Sequence, residues 1–249
     1  RIPYYFPFAY FVKTRLNNKA AIIFHGYSEF LLGILILIFS GLQPFDAIKN
    51  FFLGYLAFIS VYEIGYIIND CVSVRYEQNP RKRVKEFDPS NLLISFWILI
   101  RIVFFLVITF LIHKQFSEQW WLFYLILIFV FFIHNIIQSK QYRIFTFMCL
   151  AFLRFYAPIF PFIQMDYVLN TLNAVLLFYI FFRTITYLDS KNLLIIPSRA
   201  SFDFKASYYF FLLPISISIA LLTKSYTCLW VNLYFLVFFQ FPTHSLYVT

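Results

Sequence analysis

The stretch AIKNFFLGYLAFISVYEIGYIIN, residues 47–69, is apolar over most of its length and long enough to cross a lipid bilayer. A transmembrane helix needs about 20 consecutive, mostly apolar residues, because the hydrocarbon core is about 30 Å thick and a helix rises about 1.5 Å per residue. Other stretches of the same kind lie before and after it. The sequence therefore predicts an all-α protein that lies in a membrane.

The composition of the whole chain agrees with this interpretation. Of the 249 residues, 62% are hydrophobic and 12% are charged, whereas a soluble domain has about 25% charged residues. A surface rich in Leu, Ile and Phe is stable against lipid but not against water. We therefore expect a single integral membrane domain over residues 1–249, surrounded by membrane lipids and without a nucleic-acid partner.

The number of apolar stretches predicts about eight membrane spans. They cover residues 20–43, 47–69, 91–112, 119–138, 144–164, 167–188, 207–223 and 228–242. Continuous apolar runs of this length exclude a β-barrel, whose strands alternate polar and apolar residues. The predicted fold class is a polytopic bundle of about eight to nine transmembrane helices.

Lysine and arginine are distributed unevenly between the connections. They are concentrated in the N-terminal segment and in the connections at about 70–90, 139–143 and 189–206. The opposite side carries only Lys49, Lys114 and Lys224. Cytoplasmic loops carry an excess of Lys and Arg. We therefore predict a multi-pass inner (plasma) membrane protein with a cytoplasmic N-terminus and three basic cytoplasmic loops.

Ionisable side chains inside predicted spans form a separate group. They are Glu29, Glu63, Arg101, Arg154 and Arg183. Charged groups are costly in lipid, so such residues are functional candidates, and Arg154 in mid-span requires an anionic partner. One interpretation is an internal ion pair, such as Glu63 with Arg154, that only holds helices together. The other is an anion-binding cavity that opens toward the cytoplasm.

The second span ends in a polar stretch, YIINDCVSVRYEQNPRKR, residues 66–83. Asn69, Asp70 and Glu77 offer oxygen ligands, which Mg²⁺ prefers. Lys82 and Arg83 follow and offer cationic donors to phosphate oxygens. A carboxylate-bound metal beside a basic cluster is the arrangement that holds a diphosphate group and stabilises it as it leaves. This end of the span therefore predicts a diphosphate site.

The same stretch resembles the first signature of the UbiA superfamily of intramembrane prenyltransferases, NDxxDxxxD followed by a proline and basic residues. Asn69 and Asp70 match the opening pair, and Glu77 keeps a carboxylate at the last position. Ser73 stands where the middle Asp is expected, which removes one metal ligand. The resemblance implies a UbiA-like fold, usually of nine spans, and a Mg²⁺ ion held by Asn69, Asp70 and Glu77.

Two further segments are similar to one branch of that superfamily, the polyprenyl-phosphate phosphoribosyltransferases. FLRFYAP places Arg154 on an arginine of the branch, and Lys140 and Arg143 match basic residues before the fifth span. The second superfamily signature, DxxxD, is kept only in part, because Asp189 is present but Leu193 stands four residues later. The branch is itself less acidic at this position, so the loss of the second carboxylate counts more against a prenyltransferase than against a phosphoribosyltransferase of this branch.

The resemblance implies a Mg²⁺-dependent transferase that displaces diphosphate from a phosphorylated donor. We expect transfer of phosphoribosyl from phosphoribosyl diphosphate to a polyprenyl phosphate, because the bases around the site suit two additional anionic groups. The expected catalytic residues are Asp70, Glu77 and Arg154. The residues expected to bind substrate diphosphate or phosphate are Lys82, Arg83, Lys140, Arg143, Asp189 and Lys191.

Two other functions are compatible with the same residues. The first is a prenyltransferase that transfers the prenyl group of a polyprenyl diphosphate to an aromatic or lipid acceptor. The second is a transporter, or a family member that has lost catalysis and binds lipid as a scaffold subunit. Ser73 and the incomplete second signature favour the loss of catalysis.

Overall fold

The computed structural model of the protein describes residues 4–16, 19–76, 89–199 and 201–240. Within these ranges the regular structure is entirely helical and contains no strand. In chain order the helices are α1 (Ala9–Arg15), α2 (Lys19–Phe39), α3 (Pro44–Cys71), α4 (Asn91–Leu111), α5 (Glu118–Ile136), α6 (Arg143–Tyr156), α7 (Met165–Ser190), α8 (Asp203–Thr223) and α9 (Thr227–Gln240). The prediction of a helical membrane bundle is confirmed at this level.

Six helices of the described residues are long and apolar enough to cross a membrane, namely α2, α3, α4, α5, α7 and α8. This number is below the eight spans that the sequence predicted. The difference arises at α6 and α9, which have 14 residues each. The apolar run of α6 continues beyond Tyr156, but Pro158 and Pro161 follow, and proline disfavours helix in the residue before it. Residues 157–162 therefore form turns.

The starts of the spans follow from local sequence. Ser90, Ser117 and Ser201 cap the first turns at α4, α5 and α8, and each hydroxyl accepts a hydrogen bond from a backbone N–H three residues later. Such caps satisfy one of the N–H groups that a helix start leaves unpaired. Pro44 opens α3, where its missing N–H costs no helical hydrogen bond.

Two of the spans contain a π-helical segment. Residues Gly26–Leu31 form one within α2, and residues Val175–Ile180 form the other within α7. A π-helical turn adds a residue to the helix and changes the direction of the side chains that follow, and such turns are frequent at functional sites. Glu29 and Tyr179 lie in these two segments and contact each other.

Helix α3 lies at the centre of the bundle and packs against α2, α4 and α5, while α6 packs between α5 and α7. Gly54 of α3 allows the turn after α6 to approach closely, because a Cβ atom there would lie 2.3 Å from the carbonyl oxygen of Pro158. On the outside of the bundle, α4, α5 and α8 expose large apolar side chains such as Leu99, Leu125 and Leu221. This surface is suited to lipid.

Contacts between neighbouring helices place the C-terminal ends of α3, α5 and α7 at one end of the bundle together with the N-terminal ends of α4, α6 and α8, as in the pairs Arg75–Asn91, His134–Thr146 and Phe147–Tyr187. The connections at this end include those that the sequence analysis identified as rich in Lys and Arg. We call it the basic end. The polar residues at the end of α3 lie here.

Candidate functional site

A polar pocket of about 330 Å³ lies near the basic end of the bundle, among α3, α5, α6 and α7. Arg15, Arg154 and Arg183 line it, and none of the described lining residues is a carboxylate. Its other polar lining residues are Tyr62, Tyr66, Asn69, His134 and Asn135. We call this cavity the arginine pocket. A wall of guanidinium, amide and phenol groups favours an anionic ligand.

Arg154 reaches the pocket from α6 with a fixed orientation. Its Nε donates to both carboxylate oxygens of Glu29 at 3.1 Å, and its Nη2 donates to one of them at 3.0 Å. Its Nη1 donates to the hydroxyl of Tyr66 at 3.3 Å. The expected anionic partner of Arg154 therefore exists, but it is Glu29 of α2 and not Glu63.

Glu29 lies in the π-helical segment of α2 and is contacted from several sides. The hydroxyl of Tyr179 donates to it at 2.8 Å, and the Nδ1 atom of His25 lies 3.0 Å from the same oxygen. With Arg154 these contacts occupy both carboxylate oxygens, as a buried carboxylate requires. The network fixes the guanidinium of Arg154 from behind, on the side away from the pocket.

Arg183 of α7 differs from Arg154 in its contacts. Its Nε is buried and has no hydrogen-bond partner among the residues that the structure describes. The guanidinium carbon lies 5.6 Å from the ring centre of Phe24. The positive charge of Arg183 acts on Glu29 in addition to that of Arg154. One carboxylate therefore stands opposite two guanidinium groups, which leaves an excess positive charge at the pocket.

Asp70 lies behind the pocket wall and is engaged by the N-terminal helix. The Nη2 atom of Arg15 donates to its two oxygens at 2.8 and 3.0 Å, and the hydroxyl of Tyr10 donates to it at 3.1 Å. Burial, followed by the negative charge of Asp70, raises the pKa of Tyr10 above its usual range, so this hydroxyl remains a donor. Asn69 lines the pocket, whereas the side chain of Asp70 is 1% exposed.

The described residues alone do not form the Mg²⁺ site that the resemblance implies, and its predicted ligand Glu77 lies outside them. Within the described ranges, no group of three His, Cys, Asp or Glu side chains could hold a metal ion. The oxygens of Asp70 are taken by Arg15 and Tyr10, so a metal would have to displace those donors. Three predicted site residues, Glu77, Lys82 and Arg83, lie outside the described residues.

The predicted residue Asp189 has a local structural role at the end of α7. It forms an ion pair with Arg199, and one of its oxygens accepts a hydrogen bond of 2.7 Å from the backbone N–H of Ile196. Both contacts connect the end of the helix to the loop that follows. The part of the second signature that is present therefore fastens this loop in the structure.

The predicted cations Arg143, Lys191 and Lys140 lie at the basic end. Arg143 donates to the carbonyl of Ile137, and Lys191 lies over the ring of Tyr187. Arg143 and Lys191 both act electrostatically on His134, a lining residue of the arginine pocket. They therefore lie close enough to this lining residue to add positive charge beside the pocket. Lys140 is exposed in the turn before α6.

The structure thus brings together Asn69 and Arg154 of the predicted site, and it adds Arg15, Arg183 and Glu29. Arg183 and Glu29 stood out in the sequence only as charges inside spans. Arg15 could not be identified in this way, because it lies outside the predicted spans in the basic N-terminal segment. Comparisons of the chain with family models, with curated proteins and with solved structures found no match.

Proposed function

We propose that this protein is a membrane transferase that displaces diphosphate from a phosphorylated donor, and that it transfers phosphoribosyl from phosphoribosyl diphosphate to a polyprenyl phosphate. The observation that carries the proposal is the arginine pocket, with three guanidinium groups inside a membrane domain. Guanidinium groups bind phosphate oxygens through paired, charge-assisted hydrogen bonds. Donor, acceptor and leaving group in this reaction all carry phosphate.

In this reaction an oxygen of the lipid phosphate attacks the anomeric carbon of the donor. The bond from that carbon to the diphosphate oxygen breaks, and its electron pair leaves with the diphosphate. The attacking phosphate is already anionic, so no side chain has to remove a proton. The protein's task is to hold the anionic groups together and to stabilise the charge that develops on the diphosphate.

The three arginines are suited to different parts of this task. Arg154 is oriented by Glu29 and Tyr66, so it presents a rigid edge to the pocket. Arg183 has an unused Nε donor and contributes the excess charge. Arg15 joins the pocket from α1 while it holds Asp70. We propose that Arg154 and Arg183 bind the diphosphate and that Arg15 contributes to phosphate binding beside them.

The position of the pocket supports access from both phases. The donor is soluble in water and would enter from the basic end, where Arg143 and Lys191 attract anions. The positive-inside rule favours the cytoplasm of an inner membrane for this end. The lipid acceptor would arrive from the bilayer.

The cytoplasmic orientation of the basic end belongs to the proposal and has a direct test. Cysteine-specific reagents that cannot cross membranes would label Lys191→Cys only from the inside of the cell.

No step is assigned to Mg²⁺, because Arg15 and Tyr10 engage the oxygens of Asp70. A bound Mg²⁺ would neutralise diphosphate charge. The prediction that Asp70 binds Mg²⁺ is tested with the variant Asp70→Asn, in which binding of Mn²⁺ is measured as a spectroscopic probe. If Asp70 is a metal ligand, the variant loses Mn²⁺ binding; if it only holds Arg15, Mn²⁺ binding is unchanged and only thermal stability falls.

A second candidate function is lipid binding without catalysis. It is favoured by the ion pair of Asp70 with Arg15, which leaves a carboxylate of the first signature engaged within the protein. Ser73 removes another carboxylate of that signature. A protein of this kind would bind a polyprenyl phosphate in the arginine pocket and release no diphosphate from any donor.

The proposal is tested with purified protein in lipid nanodiscs, radiolabelled phosphoribosyl diphosphate, a short polyprenyl phosphate and Mg²⁺. We expect a lipid-linked product and an equal amount of diphosphate, both reduced at least tenfold by Arg183→Ala and by Arg154→Ala. Lys49→Ala is the matched control, because it removes an exposed cation at the other end of α3.

The possible outcomes separate the candidate functions. Lipid binding without any product would support the second candidate and overturn the transferase. A product formed from an allylic diphosphate and an aromatic acceptor, with none from phosphoribosyl diphosphate, would show prenyl transfer instead. Equal loss in Lys49→Ala and Arg183→Ala would show that the arginine pocket is not the site.

A further inference from the structure

An apolar groove of about 530 Å³ lies beside the arginine pocket, between α3, α4 and α5. Its walls are formed mainly by Ile, Leu, Val and Phe side chains, including Val61, Ile64, Ile68, Ile98, Ile102 and Leu127. Ile102 of α4 is 42% exposed and Ile128 of α5 is 58% exposed. In a membrane these faces meet lipid, so the groove is open to the bilayer.

The groove and the arginine pocket are neighbours that share part of their walls. Tyr62, Phe131 and Asn135 line both cavities. The Phe131 ring makes edge contacts with Tyr62 and Tyr66, at centre distances of 5.0 and 6.0 Å. Phe131 thus forms the partition between a polar cavity and an apolar one.

Gly65 allows this partition to take its position. A Cβ atom at Gly65 would lie 2.5 Å from a ring carbon of Phe131, which is closer than non-bonded atoms approach. A larger residue would therefore push the ring of Phe131 away from α3. The small residue keeps the ring against the helix and leaves room for the groove on one side and for the pocket on the other.

The groove and the arginine pocket run side by side along α3. The lining of the groove on this helix extends from Val61 to Ile68, which corresponds to a rise of about 10 Å, and the lining of the pocket extends from Tyr62 to Asn69. A phosphate in the pocket would therefore lie directly beside the groove, separated from it by Phe131, so that one lipid molecule could occupy both cavities.

We propose that this groove binds the hydrocarbon chain of a single-chain lipid phosphate whose phosphate group lies in the arginine pocket. The inference rests on the proposed function and names the place of the lipid. The groove shares Tyr62, Phe131 and Asn135 with the lining of the pocket, so the two cavities are continuous along one wall. One groove beside one anion pocket fits one chain per headgroup, as in an isoprenyl phosphate, and not the two chains of a diacyl phospholipid.

A second apolar groove provides an internal control. It has a volume of about 290 Å³ and lies between α2 and α9, with Leu35 and Val237 in its lining. It shares no lining residue with the arginine pocket. Tyr27 and Tyr234 hold its walls together, because each hydroxyl donates to the backbone carbonyl of the other residue, at 2.9 and 2.7 Å.

The inference is tested by filling the groove and measuring binding of farnesyl phosphate without any donor. Ile102→Trp and Ile128→Trp add bulk at positions that face lipid, so the bundle should tolerate both. Leu125→Trp is the control on the same helix outside the groove, and Leu35→Trp fills the second groove. We expect the Kd for farnesyl phosphate to rise at least tenfold in the first two variants and to stay within twofold in the controls.

Inorganic diphosphate serves as a second probe, because it has a headgroup charge and no chain. Its affinity should be the same in all four variants, which shows that the arginine pocket remains intact. The placement of the chain is overturned if Leu35→Trp weakens farnesyl phosphate binding and the groove variants do not. It is also overturned if dioleoyl phosphatidate binds as tightly as farnesyl phosphate and loses as much affinity in Ile102→Trp.

These measurements contain no donor, so they remain valid if the protein transfers nothing. Loss of transfer with normal binding of farnesyl phosphate would overturn the proposed function and leave the groove assignment in place. Normal transfer by Ile102→Trp and Ile128→Trp, with unchanged binding, would overturn the groove assignment alone.

Discussion

Arg101 and Arg154 both pair with a glutamate inside the bundle, yet their surroundings differ. The donors of Arg101 go to Glu63 and to backbone carbonyls, among them those of Tyr5 and Phe6, and its side chain is 0% exposed. The side chain of Arg154 is 9% exposed and lines a pocket. The first pair fastens the N-terminal segment to α3 and α4, whereas the second forms a wall of a cavity.

The comparison shows what distinguishes a structural charge from a candidate binding group in a membrane protein. Both arginines are neutralised by a carboxylate, so pairing alone does not separate them. At Arg101 one guanidinium faces one carboxylate, and the remaining donors are used by backbone carbonyls. At Arg154 a second guanidinium, Arg183, lies at the same cavity and keeps an unused donor. The excess cation and the cavity together indicate a ligand.

The largest expected effect is on stability, at the Arg101 pair. Arg101→Ala leaves Glu63 as a buried carboxylate without its counter-ion and frees the carbonyls of Tyr5 and Phe6. Removing one partner of a buried pair costs about 3–5 kcal/mol. We expect a large drop in the melting temperature of the detergent-solubilised protein, measured by tryptophan fluorescence.

The matched control for this variant is the double variant with Arg101→Leu and Glu63→Leu, which removes both charges. It should recover much of the lost stability, because apolar replacement of a buried pair is often neutral. The backbone N–H of Phe11 still loses its acceptor, so recovery is incomplete. A single variant as stable as the parent protein would contradict the structural role of the pair.

The second expected effect is on ligand binding, at Arg183. Arg183→Ala should weaken binding of inorganic diphosphate by about 10- to 100-fold, because a hydrogen bond to a charged group contributes about 1.5–3 kcal/mol. Its melting temperature should not fall, because the variant removes a buried donor that has no partner in the described part of the chain. Isothermal titration calorimetry and thermal unfolding measure the two effects separately.

The unchanged melting temperature separates Arg183→Ala from Arg101→Ala, for which a large loss of stability is expected. Conservative replacement by Arg183→Lys should keep part of the affinity, because the charge remains and the paired donor geometry is lost. Unchanged diphosphate affinity in Arg183→Ala would remove the distinction between the two regions. So would a loss of stability as large as that of Arg101→Ala.

Most spans could be predicted from the sequence because they depend on continuous apolar length. The predicted range 91–112 corresponds to Asn91–Leu111 in the structure, and 119–138 corresponds to Glu118–Ile136. The range 144–164 was too long as a helix, because apolar residues continue through the turn that Pro158 and Pro161 impose. The short helix α1 was not predicted, because it is too short for a span and lies in a basic segment.

The candidate site was predictable only in part. Charges inside spans identified Arg154, but the sequence could not tell which carboxylate it meets, because that depends on which helices are neighbours. Glu29, the carboxylate that it meets, lies in a π-helical segment and contacts Tyr179 of the other one, and periodicity at 3.6 residues gives no signal for such segments. The pairing of Asp70 with Arg15 was missed for the same reason, since α1 folds back onto the end of α3.

A smaller effect is expected at Glu29, behind the pocket. Glu29→Gln removes the negative charge opposite Arg154 and Arg183, so the affinity for diphosphate should rise, by about 1 kcal/mol or about fivefold. Stability should fall, since Arg154 loses its counter-ion. Both the Kd for diphosphate and the melting temperature should therefore fall, because the variant binds the ligand more tightly and folds less stably.

Tyr179→Phe is the matched control for Glu29→Gln. It removes the hydrogen bond of 2.8 Å to Glu29 and leaves every charge in place. Its diphosphate affinity should match that of the parent protein. Equal affinities in Glu29→Gln and the parent would show that the arginines do not meet the ligand and that this pair is structural, like that of Arg101.

The smallest effect is expected at the ion pair of Asp189 with Arg199, which is partly exposed to solvent. Arg199→Ala should cost less than about 1 kcal/mol of stability, because water and salt screen such a pair. Diphosphate binding should not change, since neither residue lines the arginine pocket. A tenfold loss of diphosphate affinity in this variant would show that the loop after α7 contributes to the anion site. The incomplete second signature would then belong to the site in spite of its single carboxylate. The loop that Asp189 holds in place would contribute to diphosphate binding, which the signature was expected to do through a metal ion.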